Sequence, residues 1–193
     1  MNKFKLTMII IIIAFGFIKN SSASPKSSGL YLTFNDFVNH KLSYVSDPSG
    51  TQNNKIIYHE FLGGGKVTVV NNGKKLVLSK DQVFGYSNGN QDYRFYGNKA
   101  YRIVDTNGFY LYSADKLVQQ TKGMKPVKTF YFSTKADNEL LTLTQENINK
   151  AFAANHKFRY LVQAQFRSDE DLDQYDGAVN EYKIKEIFTD SSK

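Results

Sequence analysis

Gly85-Tyr86-Ser87-Asn88-Gly89 has the G-x-S-x-G spacing of a hydrolase nucleophile, and His156 and several aspartates follow in the order a triad needs. That motif works when a strand feeds a sharp turn and then a helix, which exposes the serine over a parallel sheet. Here Asn88-Gly89 is a hairpin turn pair and Gln91 to Tyr96 reads as a strand. The context is wrong, so Ser87 is not expected to be a nucleophile. His59-Glu60 fails as a zinc-protease motif because Gly63 stands where the second histidine belongs. Gly63 to Gly65 lack the spacing and the hydroxyl residue of a phosphate loop and read as a turn into the following strand. Asp169, Asp171 and Asp173 suggest a calcium loop, yet Gln174 and Asn180 occupy the positions that need glycine and glutamate. His40, His59 and His156 share no metal-ligand spacing. No catalytic residue, metal ligand or cofactor motif is therefore assigned.

Arginine and tyrosine offer a different chemistry, that of recognition. Tyr86, Tyr93, Tyr96, Tyr101, Tyr110 and Tyr112 fall in one stretch of predicted strands. Aromatic side chains favour half-buried pleated surfaces, which accounts for many of them. Around Gly97-Asn98, a two-residue loop would pair Phe95 with Ala100 and Tyr93 with Arg102, mixing charged and apolar groups on one face. A register centred on Asn98 instead sets Phe95 opposite Tyr101 and Tyr93 opposite Ile103, a coherent buried face. It also puts Arg94 opposite Arg102 on the wet face, beside Tyr96. Like charges there are either screened by water or bridged by an anion. Arg94, Arg102 and Tyr96 are thus the candidate ligand-binding residues, since exposed tyrosine with arginine suits glycan or protein surfaces.

The elements that must position these groups follow from turn signals. Short aromatic and β-branched runs separated by Asn-Gly or Gly-Asn pairs fill Lys55 to Thr134, the pattern of an antiparallel β-meander. In Lys66 to Ser79, a type I′ turn at Asn72-Gly73 sets Val69 opposite Leu76 and Val67 opposite Leu78. Further turns are expected at Asn88-Gly89, Gly97-Asn98 and Asn107-Gly108. Val127 to Ser133 and Leu140 to Leu143 read as later strands. Thr33 caps a short helix over 34–40, with Asp36 in its first turn, and Asp47 to Asn54 is a surface loop. Thr144 is an N-cap for a helix over 145–153. Ser168, followed by three acids, opens another in which Leu172 and Tyr175 face the core. Glu181 to Phe188 is compatible with helix or extended chain. The fold class is α+β, an antiparallel meander of about 6–8 strands preceded by a short helix and followed by C-terminal helices.

Residues 1–23 combine Lys3 and Lys5, an apolar block from Leu6 to Ile18 and a Ser21-Ser22-Ala23 end, the three parts of a secretory signal peptide. The block is shorter than the roughly 20 residues a spanning helix needs. Cleavage after Ala23 leaves a linker over 24–28 and a single α+β domain over 29–193, with no membrane span; the alternative is an uncleaved anchor, because the block is very hydrophobic. The chain has 193 residues and no cysteine, which excludes disulfides, thiolate chemistry and lipidation on cysteine. A mature chain of this size buries about 70% of its unfolded surface, enough for a core to hold it unaided. The net charge is +7, but Lys3, Lys5 and Lys19 lie in the leader, leaving 22 basic against 18 acidic residues. A charge of that size mixed with many acids is not a nucleic-acid footprint.

Gly29-Leu30-Tyr31-Leu32-Thr33-Phe34-Asn35-Asp36-Phe37, Tyr93-Arg94-Phe95, Tyr101-Arg102-Ile103, Asn155-His156-Lys157-Phe158 and Tyr175-Asp176 together resemble a family of uncharacterised exported proteins of Gram-negative bacteria. The resemblance implies an exported location and carries no activity, cofactor or site residue. The expected function is a non-catalytic binding or interaction module in the periplasm, at the cell surface or secreted. Its expected partner is an anionic glycan or another envelope protein. The alternative is a hydrolase using carboxylates that the fold brings together.

Overall fold

Turn chemistry and caps set the architecture. A computed structural model describes residues 27–46, 54–59, 64–121 and 123–193. The expected signal peptide, most of the expected linker and most of the expected 47–54 loop lie outside the described residues. Strand β1 (Ser28–Tyr31) leads into helix α1 (Phe34–Val38). Asp36 N donates to Thr33 Oγ1 at 3.1 Å, and Thr33 N donates to Asp36 Oδ2 at 3.0 Å. Two backbone donors that the helix start leaves free are satisfied, as the sequence predicted. The helix is shorter than the expected 34–40, and His40 beyond it has φ 51°. Strand β2 (Ser43–Ser46) then returns beside β1.

Strands β3 (Asn54–Ile57), β4 (Lys66–Asn71) and β5 (Lys74–Ser79) form a separate three-stranded sheet. Val69 faces Leu76 and Val67 faces Leu78, with Asn72 and Gly73 at φ 49° and 77°, so the type I′ hairpin has the expected register. The main sheet takes β6 (Gly85–Asn88), β7 (Asp92–Tyr96), β8 (Lys99–Asp105), β9 (Tyr110–Gln120), β10 (Gly123–Ser133) and β11 (Leu141–Thr142). Its order is β11-β10-β9-β8-β7-β6-β1-β2, and every neighbouring pair is antiparallel. The meander is therefore present, and two N-terminal strands that the sequence did not suggest extend it at one end.

After the sheet come α2 (Gln145–Ala151), capped by Thr144 as expected, and α3 (His156–Gln165). Helix α3 was not expected; Asn155 caps it by accepting from Phe158 N at 3.0 Å. Asp169–Asp173 is a 3-10 turn rather than an α-helix. Leu172 is buried there, but Tyr175 is exposed and lies in β12 (Tyr175–Asp176), which corrects its assignment to the core. The segment that suited two conformations uses both, as β13 (Glu181–Tyr182) and then α4 (Lys183–Ser191).

The two faces of the main sheet are covered differently. On one face, Val67 and Val69 of the small sheet pack on Leu30, Tyr86 and Phe95. Farther along that face, Ile148, Phe158, Val162 and Ile184 of the helices pack on Leu111, Phe130 and Phe132. Each large apolar side chain buried this way contributes about 1.5–3 kcal/mol. The opposite face carries Tyr31, Ile103 and Tyr112 under Phe37 of α1 and Leu140. Both faces are thus partly covered.

Candidate functional site

The β7–β8 hairpin decides where the predicted site residues go. Gly97 and Asn98 have φ 52° and 66°, so they form a two-residue type I′ turn. Tyr93 then pairs with Arg102, Arg94 with Tyr101 and Phe95 with Ala100. This is the register the sequence reading set aside, and it corrects the expected Arg94–Arg102 pairing: the two arginines lie on opposite faces. The rejection assumed that one face was dry and the other wet. In fact the dry face has a gap between its two covering layers, and Arg102 emerges in that gap.

Arg94 is only 5% exposed. Its Nη2 donates to Asn138 O at 2.7 Å and its Nη1 to Tyr112 Oη at 3.2 Å, while Tyr112 and Ser133 hydroxyls are 3.1 Å apart. The guanidinium stands 5.3, 5.7 and 5.9 Å from the rings of Tyr96, Tyr112 and Phe84. Among the described residues no carboxylate lies within salt-bridge distance of it. A cation caged by rings and tied to a carbonyl is an internal strut. It pins the 134–140 segment to the sheet. Tyr96 shares Arg94's face, as expected, and is half-buried.

Half-buried tyrosines continue across that face. Tyr101 and Tyr131 meet edge to face at 5.0 Å, and Tyr110 stacks on Tyr112 at 6.3 Å. Burial pushes the phenols of Tyr101, Tyr110, Tyr112 and Tyr131 up. At the far end Tyr31 donates to Asp92 Oδ1 at 3.0 Å; burial and then the Asp92 charge push its phenol up to about 12. A smaller groove of about 480 Å³ at the edge of this face is lined by Asp81, Phe84, Arg94, Tyr96 and Asp137.

Arg102, in contrast, is on the other face and exposed, and it lines a groove of about 870 Å³ whose wall takes side chains from both faces where β8 and β9 separate. Its Nε donates to Gln91 Oε1 at 2.5 Å, and Gln91 Nε2 donates to Ile103 O at 2.7 Å, so the guanidinium is held in place. Lys99, Lys116 and Lys128 line the same groove and are exposed; among the described residues Asp115 is the one acid in the lining. Lys128 Nζ sits 4.9 Å from the Phe130 ring. Tyr93, Ser113 and Leu117 complete the wall. Buried Lys80 lines both grooves, donating to Asn98 O at 3.2 Å and standing 5.2 Å from the Phe95 ring. Four exposed cations lining one groove of polar and apolar surface can hold an anion and its flanking groups.

The sequence reading found Arg102 and missed Lys99, Lys116 and Lys128. For Lys116 and Lys128 a signal exists: between Thr106 and Ala136 the chain holds five lysines and a single acid, Asp115.

The other motifs resolve into structure. Ser87 lies in β6, an antiparallel strand, between Gly29 and Asp92, so the nucleophile geometry is absent. Asp169 Oδ1 accepts from Gln145 N at 2.8 Å, and Asp171 Oδ2 from Ser168 N at 3.2 Å; these acids serve as caps. His59 is 3.0 Å from Thr68 Oγ1, and His156 is 2.7 Å from Arg159. Among the described residues no three His, Cys, Asp or Glu side chains gather as a metal site would need, and no helix is long and apolar enough to cross a membrane. Buried Lys185 pairs with Asp105 at 3.1 Å, donates to Phe109 O and covers the Phe109 ring; burial pushes its pKa down, against the pull of Asp105. That contact ties α4 to the sheet.

Comparison of the chain with protein-family models, with curated proteins and with solved structures finds no match.

Proposed function

We propose that the protein is an exported, non-catalytic binding module of the cell envelope that takes an anionic ligand in the groove lined by Arg102. One observation carries the reading: Lys99, Arg102, Lys116 and Lys128 surround an open groove in which, among the described residues, Asp115 is the one acid. Exposed cations attract anions over a Debye length of about 8–10 Å, and a positioned guanidinium adds directional hydrogen bonds to carboxylate oxygens. Arg94 and Tyr96 leave the site, because Arg94 is enclosed and neither lines this groove. Export rests on the three-part leader, and cell fractionation with N-terminal sequencing tests it: an exported chain starting at Ser24 supports export with cleavage, an exported chain retaining Met1 supports an uncleaved anchor, and a chain confined to the cytoplasm contradicts export.

The test of binding is titration with polygalacturonate, a carboxylated polysaccharide, and with a neutral polysaccharide of similar length. The groove binds the first and not the second, more weakly as salt rises. Arg102→Glu combined with Lys116→Glu lowers affinity by about ten-fold or more. Equal binding of both polymers, or an unaffected double variant, overturns the reading. The hydrolase reading has one point in its favour, Asp81 and Asp137 in the second groove. Turnover of an envelope polymer that Asp81→Asn and Asp137→Asn each abolish would replace the binding reading with it.

A further inference from the structure

The groove exists because two strands of the main sheet part company. β8 and β9 pair from Asp105 and Leu111 as far as Arg102 and Ser113, and the ladder stops there. Beyond it, Lys99–Tyr101 of β8 pair with β7 alone, and Ala114–Gln120 of β9 pair with β10 alone. Two strand edges therefore border the groove inside the sheet. Among the described residues no backbone hydrogen bond from another strand reaches them on this side. Free N–H and C=O groups along a strand are a template for a further strand.

From this fork the geometry points to an extended acidic peptide of another protein as the ligand, added as a strand along β9 between Ala114 and Leu117. The inference rests on the anion-binding reading above and names its substrate class. Charge complementarity selects the peptide. Strand alternation puts Arg102 and Lys128 on one side of the sheet and Lys99 and Lys116 on the other, so an added strand meets two cations on each face. Acids on both faces of the peptide find partners while its backbone pairs with β9, the division of labour in which main-chain bonds give affinity and side chains give specificity. The outer edge of the arm is less suited. There Pro126 of β10 offers no N–H, as is usual where a sheet edge is kept from pairing. Ala114 to Leu117 contain no proline and keep every donor.

The test uses the mature chain and two probes of about ten residues, long enough to cover one strand edge. The first is a Glu/Val peptide with glutamates on both faces of the extended chain. The second carries the same charges with proline at every third position. The first peptide binds about ten-fold or more tightly than the second, and hydrogen exchange shows new protection at alternate amides between Ala114 and Leu117. Equal binding of the two peptides, or displacement of both by polygalacturonate without amide protection, keeps the anion site and overturns strand addition. Failure of peptides and polygalacturonate alike overturns both readings. Dimerisation of the unliganded chain that protects the same amides assigns the edge to a second copy and contradicts the proposal.

Discussion

Arg94 and Arg102 occupy adjoining strands of one sheet and meet opposite surroundings. Arg94 is enclosed by three rings and fastened to Asn138 O, and its charge holds a loop to the sheet. Arg102 is fastened to one glutamine and open to solvent among three lysines. A single residue of register separates the two outcomes, because side chains alternate between faces with a period of two. The contrast shows that a charge in an aromatic strand does not mark the wet face. A guanidinium tolerates burial when rings and carbonyls replace its water.

The sharpest way to break this contrast is at Gly85, which pairs with Arg94. A Cβ there would sit 1.9 Å from Tyr93 O, a backbone atom, so Gly85→Ala must force β6 from β7. Urea unfolding should show a loss above about 3–4 kcal/mol, or no cooperative transition at all. Next in size is the pair of arginines themselves. Arg94→Met leaves Asn138 O without its donor and should cost about 2–4 kcal/mol, whereas Arg102→Met should change stability by less than about 0.5 kcal/mol. Equal costs would mean that the register is wrong. The smallest effect near neutral pH, and one that grows in alkali, concerns Tyr31. Its phenol is pushed from 10.0 to about 12 in the fold. A phenol raised on folding contributes its stability in full below pH 10 and loses it as pH climbs through about 12. Tyr31→Phe should therefore flatten the fall of stability over that window, followed by thermal unfolding from pH 9 to about 12. An unchanged slope would mean that the remaining raised tyrosines account for all of it.

Much of the fold was legible because local signals act locally. Thr33 with Asp36, Thr144, and Asn72-Gly73 each satisfy backbone groups within a few residues, and each does in the structure what its chemistry predicts. At Gly97-Asn98 the turn signal was equally good and was overruled by an argument about faces. The register follows from α1 and the 134–140 segment covering one face while the small sheet and the helices leave a gap on the other. Such packing involves residues far apart in the chain and leaves no periodic trace. The candidate site was legible in the same uneven way. Arg102 was found for a reason that does not hold, and the lysines around it were missed because the fork between β8 and β9 is set by where pairing stops. The lysine excess from Lys116 onward was visible, but only the fork says that those charges meet Arg102.

The account stands on the fork between β8 and β9 receiving an anion. Backbone amide chemical shifts of the labelled mature chain, followed while polygalacturonate is added, read this residue by residue. The account predicts shifts at Lys99, Arg102, Ser113 to Leu117 and Lys128, with Tyr31, Tyr110 and Tyr131 unmoved. Shifts confined to those tyrosines and Arg94, or none at all, would contradict it.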